Sequence, residues 1–197
     1  MTYLLGIDPG GKRKFGLAKL FMDGTIETST VSSVREAISR VNEMPLGVGI
    51  DCPLWWSDGV GGTRNADKWI RDTYKLPSRN VQSVNSMWGA VLVQGVLFAM
   101  KIREKYPEVN VTESHPKALM KALSLDSDIA ISRMFGLRGR WANEDERDAV
   151  IAATCARMGF TLQWTVDLAA EREEHELNPK KMWFGPVNYW WPNIANS

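Results

Sequence analysis

The chain has 197 residues, with 24 Lys and Arg against 23 Asp and Glu and a formal net charge of +1. That length suits one domain, or one domain with an elaborate tail. A chain of this size buries roughly 70% of its unfolded surface, so it needs no disulfide or metal staple to fold. No basic face shows in the bulk composition, which weighs against tight non-specific binding of nucleic acid; local clusters of Lys and Arg are the remaining route.

Tyr3 to Asp8 reads as a short apolar strand that stops at a carboxylate, after which Pro9-Gly10 turns the backbone. Lys14 to Phe21 is a second strand, Asp23-Gly24 a hairpin turn and Thr25 to Thr30 a third strand, so the chain opens with an antiparallel meander. Ser33-x-x-Glu36 has the form of a capping box. Val34, Ala37, Ile38 and Val41 recur behind it at helical spacing, and Pro45 ends that helix. Leu46 to Asp51 is the fourth strand. It echoes the first: Gly6-Ile7-Asp8-Pro9 returns as Gly49-Ile50-Asp51-Cys52-Pro53. A helical crossover makes strand four parallel to a strand of the meander. If it lies beside strand one, Asp8 and Asp51 share one edge of the sheet, where open α/β sheets place their sites.

Gly59-Val60-Gly61-Gly62 lacks the Lys-Ser/Thr of a phosphate-binding P-loop and reads as a flexible loop. Asn65 to Tyr74 is a short helix. Arg64, Asp67, Lys68 and Arg71 stand three and four apart along it, which by itself describes a solvated, salt-bridged face. Ser86 to Glu104 is a long helix, apolar nearly all round in its first half, expected to pack on the sheet with little exposure. Val109 to Glu113 is strand five and again ends in a carboxylate, before Ser114-His115-Pro116 and a helix from Lys117 to Leu125. A further short helix, Asp126 to Phe135, stops at Gly136, with Arg133, Arg138 and Arg140 clustered ahead of Trp141. Asn143-x-x-Glu146 caps the next helix, in which Ala149, Ala152, Ala153 and Ala156 allow close packing. Asp145 and Asp148 sit at one end of its contact face.

The character changes after Phe160, so residues 1–160 form the expected domain and 161–197 a charged and Trp-rich extension packing on it. Glu171 to Glu176 reads as a solvated helix or linker, and the aromatic run from Trp183 to Pro192 as a tail folded back over an apolar groove. Cys52 and Cys155 are far apart and form no C-x-x-C pair. With no signal peptide in evidence, they fit a reducing cytoplasm and do not look like zinc ligands. The apolar run Met87 to Met100 is interrupted by Gln94 and falls short of the ~20 residues of a membrane span; it reads as a buried helix.

Three strand ends thus carry acids, Asp8, Asp51 and Glu113, and a helix start adds Asp145 and Asp148. Each has a bland explanation: Asp8 shaping its turn, Asp51 capping the turn at Pro53, Glu113 pairing with a cation, Asp145 favoured by the helix dipole. Asp148 lies beyond the first turn, where the dipole explains it least. Clustered carboxylates repel and need a reason to coexist; the usual one is Mg²⁺ or Mn²⁺, which takes oxygen ligands and can drive phosphodiester hydrolysis. His115 adjoins Glu113 as a structural hydrogen-bonder or a proton carrier.

Gly6-Ile7-Asp8-Pro9-Gly10 resembles the opening motif of RuvC-type Holliday-junction resolvases and their RNase H-like relatives. With Gly49-Ile50-Asp51-Cys52-Pro53-Leu54, Arg64-x-x-Asp67, Glu113-x-x-Pro116 and Asp145-Glu-Arg-Asp148-Ala149, residues 3–160 resemble the family of predicted RNase H-like nucleases known as domain of unknown function 429. The resemblance implies an α/β RNase H-like fold and metal-binding acids at Asp8, Asp51 and Asp148, with Glu113 and Asp145 as additions. It also raises the importance of Arg64 and Asp67. The predicted sheet has five strands in the order 3-2-1-4-5, strand two antiparallel to the rest. The expected function is a Mg²⁺- or Mn²⁺-dependent nuclease. Asp8, Asp51, Glu113 and Asp148 would be catalytic, and Asp8, Asp51, Asp145 and Asp148 would hold the metal. Arg64, Asp67, Arg138 and Arg140 would meet the substrate. The expected partner is nucleic acid, DNA or RNA, with no membrane and with monomer and homodimer both open. The competing reading is a nucleotide- or phosphate-binding RNase H-like protein without nuclease activity.

Overall fold

The computed structural model describes residues 2–10, 14–57, 62–87, 89–173 and 178–193. The opening meander is β1 (Tyr3–Asp8), β2 (Phe15–Phe21) and β3 (Ile26–Val31), followed by α1 (Val34–Ser39) and β4 (Gly47–Ile50). Next come α2 (Asn65–Tyr74), α3 (Gly89–Lys105), β5 (Val111–Glu113), α4 (Pro116–Ala122), α5 (Asp128–Phe135) and α6 (Glu144–Phe160). The chain closes with β6 (Val166–Asp167), α7 (Leu168–Glu171), β7 (Val187–Asn188) and β8 (Trp190–Trp191).

The main sheet has the order β3-β2-β1-β4-β5-β7. β2 is antiparallel to both its neighbours, while β4 is parallel to β1 and to β5. The α/β class and the 3-2-1-4-5 order are therefore present, but the sheet has six strands and not five. The sixth, β7, comes from beyond residue 160 and runs parallel to β5. Two residues between Pro186 and a run of aromatics carry no readable period, so nothing local marks them as a strand. The tail enters the core as well: Tyr189 and Trp191 are buried, and Trp190 meets Phe160 edge-on.

α6 lies across one face of the sheet at unusually short range. A Cβ on Gly6 of β1 would run into the carbonyl oxygen of Ala149, and one on Gly49 of β4 into that of Ala152. Glycine on the strands and alanine on the helix together permit this approach. The N-terminus of α6 is fastened to β3: Asn143 caps it through Glu146 N (3.0 Å), and the Glu146 carboxylate accepts from Thr28 Oγ1 (2.7 Å) and Thr30 Oγ1 (3.2 Å).

α3 departs from expectation. Its inner face is buried at Phe98, Ala99 and Ile102, but Val93 is 66% and Leu97 37% exposed. The sheet covers only one side of this helix. Its outer apolar side, with Trp56 and Trp183, walls a groove of about 540 Å³. Among the described residues no helix is long and apolar enough to cross a membrane. Cys52 and Cys155 are both free and buried. The glycine-rich stretch falls largely outside the described residues at 59–61, as does the charged run at 174–177.

Candidate functional site

Side chains alternate along a strand, so residues two apart share a face. Gly6 and Gly49 face α6; Asp8 and Asp51 stand two residues beyond them, at the ends of adjacent parallel strands. Asp148, buried near the start of α6, meets them there. The carboxylates of Asp8, Asp51 and Asp148 each offer an oxygen within 4.8 Å of the others. The close packing of α6 on glycine is what brings its aspartate within reach.

The three acids are held against their own repulsion. Burial pushes Asp8 up to about 8, with Asp148 and then Asp145 adding to the rise. Asp51 is driven well above the usual carboxylate range by burial, then by Asp8 and Asp148. Burial also raises Asp148, opposed by Arg147. Arg147 Nη2 stands 2.8 Å from Asp148 Oδ1, and Lys117 Nζ 3.8 Å from Oδ2. Lys117 lowers the pKa of all three aspartates, so its ammonium serves the whole cluster while remaining 60% exposed. Three converging oxygens of raised pKa suit a hard divalent cation, whose charge would relieve the repulsion.

Glu113 does not join this group. Its register partner on β4 is Ile50, one residue short of Asp51, so it faces away from α6. There its carboxylate accepts from Leu54 N (3.0 Å), Arg64 Nη1 (2.7 Å) and Arg64 Nη2 (2.5 Å). Arg64 also binds Asp67 through Nε (2.7 Å) and Nη2 (2.8 Å), and stacks 4.1 Å from the Trp55 ring. Burial works against the Arg64 charge, but Asp67 and Glu113 hold its pKa well above the ordinary value. Arg64 and Asp67 are 1% and 0% exposed. They are neither a solvated face nor contacts for a substrate: every charge is spent inside the triad. Glu173, expected in a solvated run, is buried here too and accepts from Ala66 N at the start of α2 (2.9 Å).

Of the other predicted residues, Asp145 lies over Gly16, the register partner of Asp8. It stands outside the converging three and acts on Asp8 through its charge. His115 is half-buried near Asp67 and Arg64; burial lowers its pKa, with Asp67 opposing. Arg138 is at the wrong end of the sheet. It pairs with Asp23 on the β2–β3 hairpin (2.6 Å), which lies beyond the level of Leu4 and so roughly 13 Å or more from Asp8 along the strand. Arg140 is exposed at the β3 edge, its carbonyl accepting from Thr28 Oγ1 (3.3 Å). Two cations at the site were missed by the sequence reading. Lys117 had a usable signal, because a Pro-initiated helix directly after a strand end presents its first turn at that edge. Arg147 had only its adjacency to Asp148.

A family sequence model described as "Protein of unknown function (DUF429)" matches residues 6–180. The chain belongs to this family. The DUF429 match takes in the three aspartates, Lys117, Arg147 and the buried triad, and runs past residue 160 through α7. No curated protein and no solved structure matches the chain.

Proposed function

We propose that this DUF429 chain is an RNase H-like nuclease that hydrolyses phosphodiester bonds of nucleic acid with Mg²⁺ or Mn²⁺ held by Asp8, Asp51 and Asp148. The observation that carries this reading is the convergence of those three carboxylates within 4.8 Å, on two parallel strand ends and one helix. The sheet order β3-β2-β1-β4-β5 with β2 antiparallel supports the RNase H-like assignment. The all-oxygen donor set favours hard cations over zinc or copper.

A cation bound there supplies Lewis acidity to the scissile phosphate and the attacking water. The chain's own residues do the rest. Asp8 and Asp51 fix the metal position on backbone that cannot shift without breaking the ladder. Arg147 holds Oδ1 of Asp148 and so sets the orientation of that carboxylate. Lys117 carries an exposed ammonium beside the cluster, suited to a non-bridging phosphate oxygen. The test is incubation of single- and double-stranded DNA and RNA oligonucleotides with Mg²⁺, Mn²⁺ or EDTA. Metal-dependent cleavage that falls by orders of magnitude in Asp8→Asn, Asp51→Asn and Asp148→Asn is expected. Cleavage that survives all three substitutions would refute the assignment.

A further inference from the structure

A second cavity, of about 530 Å³, lies between α5 and the segment leading into α6. Ile129, Leu137 and Trp141 form its apolar wall, and Arg133, Arg140 and Asp128 supply its charges. Among the described residues neither guanidinium has an acid, carbonyl or aromatic partner. By contrast Arg64, Arg138 and Arg147 bind acids, and Arg103 and Arg157 bind carbonyls. Two exposed arginines line one concavity together with a half-buried indole.

The volume falls within the ~300–1,000 Å³ of small-molecule sites. An indole and two aliphatic side chains offer a surface on which a planar ring can lie, and base stacking on such a platform tolerates any base. Arginine forks match phosphate oxygens in geometry and charge. Asp128 brings the net charge of the lining to about +1 and adds an acceptor for a sugar hydroxyl or a base amine. The walls are fixed: Trp141 stands two residues before the Asn143 cap, and Thr28 and Glu146 tie this segment to β3. We infer that the cavity is a nucleotide-binding pocket, with Trp141 stacking on the base and Arg133 and Arg140 holding the phosphate. The ligand is a nucleoside phosphate, either free or as one unit of a strand. The pocket needs no metal, so it stands apart from the hydrolytic reading of the aspartate cluster.

The experiment is calorimetric titration in EDTA and low salt with AMP, inorganic phosphate and a short single-stranded oligonucleotide. The proteins are wild type, the Arg133→Ala/Arg140→Ala double variant and Trp141→Ala. Binding of AMP, weakened at least tenfold in both variants, marks a free mononucleotide as the ligand. The same loss seen with the oligonucleotide alone marks a unit of a strand. Phosphate binding as tightly as AMP, ligand binding unchanged in the variants, or no binding by either nucleotide ligand overturns the proposal. Both arginines are exposed, so the double variant should fold, and its Mg²⁺-induced thermal shift should match wild type. That shift reports on the aspartate cluster, and a failure of the metal reading would appear there and not in the EDTA titrations.

Discussion

Glu113 and Asp51 end neighbouring parallel strands yet face opposite sides of the sheet. Glu113 pairs in register with Ile50, and that offset of one residue separates two acidic systems. On the α6 face are three converging acids that raise one another's pKa. On the other face is an acid fully engaged by Arg64. The two systems should respond to substitution in opposite ways.

Arg64→Met should destabilise strongly. It leaves Glu113 and Asp67 buried without their cation, a loss of about 3–5 kcal/mol, and forfeits the stacking on Trp55. Arg64→Lys keeps the charge but cannot span both acids as a fork, and should fall between. Urea unfolding midpoints with and without Mg²⁺ check this. A loss below about 1 kcal/mol would contradict the buried-triad account.

Much of this was readable in the sequence, and the failures have physical causes. The Gly-Ile-Asp echo identified two strand ends because glycine and aspartate two apart record which face is packed and which residue protrudes. The alanines of α6 announced a close approach. Glu113 was misplaced because a strand's register against its neighbour is a tertiary fact: its own sequence shows an acid at a strand end but not which face it takes. Arg64 and Asp67 looked like a surface pair because their spacing is the same for exposed and buried helices; the partner that buries them is 49 residues away in Glu113. β7 is too short to carry a period and exists only because β5 offers it an edge.

Gly6→Ala should lower stability and also impair the site. Its methyl would run into the Ala149 carbonyl and push α6 off the sheet, with a cost of about 1–3 kcal/mol or more. The same displacement draws Asp148 away from Asp8, so the Mg²⁺-induced rise in melting temperature should shrink. Gly89→Ala, at a position with open space, is the control and should change neither. Unaltered Mg²⁺ stabilisation in Gly6→Ala would show that α6 does not position the cluster.

Lys117→Met should separate two roles. Removing a positive charge beside the aspartates relieves repulsion on an incoming cation, worth about 1 kcal/mol or several-fold in affinity at that range in a water-like medium. At a pH high enough to ionise the aspartates, where the pKa rise caused by losing Lys117 no longer matters, magnesium should therefore bind more tightly while any phosphodiester cleavage falls. Parallel titration of Mg²⁺ binding and cleavage rate checks the opposed signs. Weaker metal binding would make Lys117 a support of the cluster and not a substrate contact.

Asp8→Asn removes one charge and keeps the shape. In EDTA the variant should be as stable as wild type or more so, and Mg²⁺ should stabilise it less. Asp8→Ala is the sharper control. If the carboxylate merely shaped its turn, alanine would cost about 1 kcal/mol in either buffer. Equal losses in thermal melts with EDTA and with Mg²⁺ would remove Asp8 from the cluster.

The last expectation concerns pH. In the unfolded chain Asp8 releases its proton near pH 4, whereas in the folded, metal-free protein it keeps it to about 8. Between those values the native state binds more protons than the unfolded state, so stability falls as pH rises and levels off above the folded pKa. Asp51 and Asp148 are raised as well and act in the same direction. His115 acts in the opposite sense: its lowered pKa adds stability as pH climbs toward its unfolded value near 6.5 and nothing beyond. Glu113, which burial raises to about 7, adds a loss of the same sign, so pH 6.5 to 8 is free of the histidine, and comparison with Asp8→Asn separates the aspartates from Glu113. Urea unfolding across that window in EDTA should show a steady loss of stability. Saturating Mg²⁺ should flatten the slope, because a bound cation holds the aspartates ionised and makes proton release favourable in the native state. The apparent Mg²⁺ affinity should rise over the same interval. Asp8→Asn should show a shallower slope in EDTA than wild type. A metal-free protein whose stability is level or rising from pH 6.5 to 8 would mean that the aspartates are already ionised, and the electrostatic demand for a cation at this site would be gone.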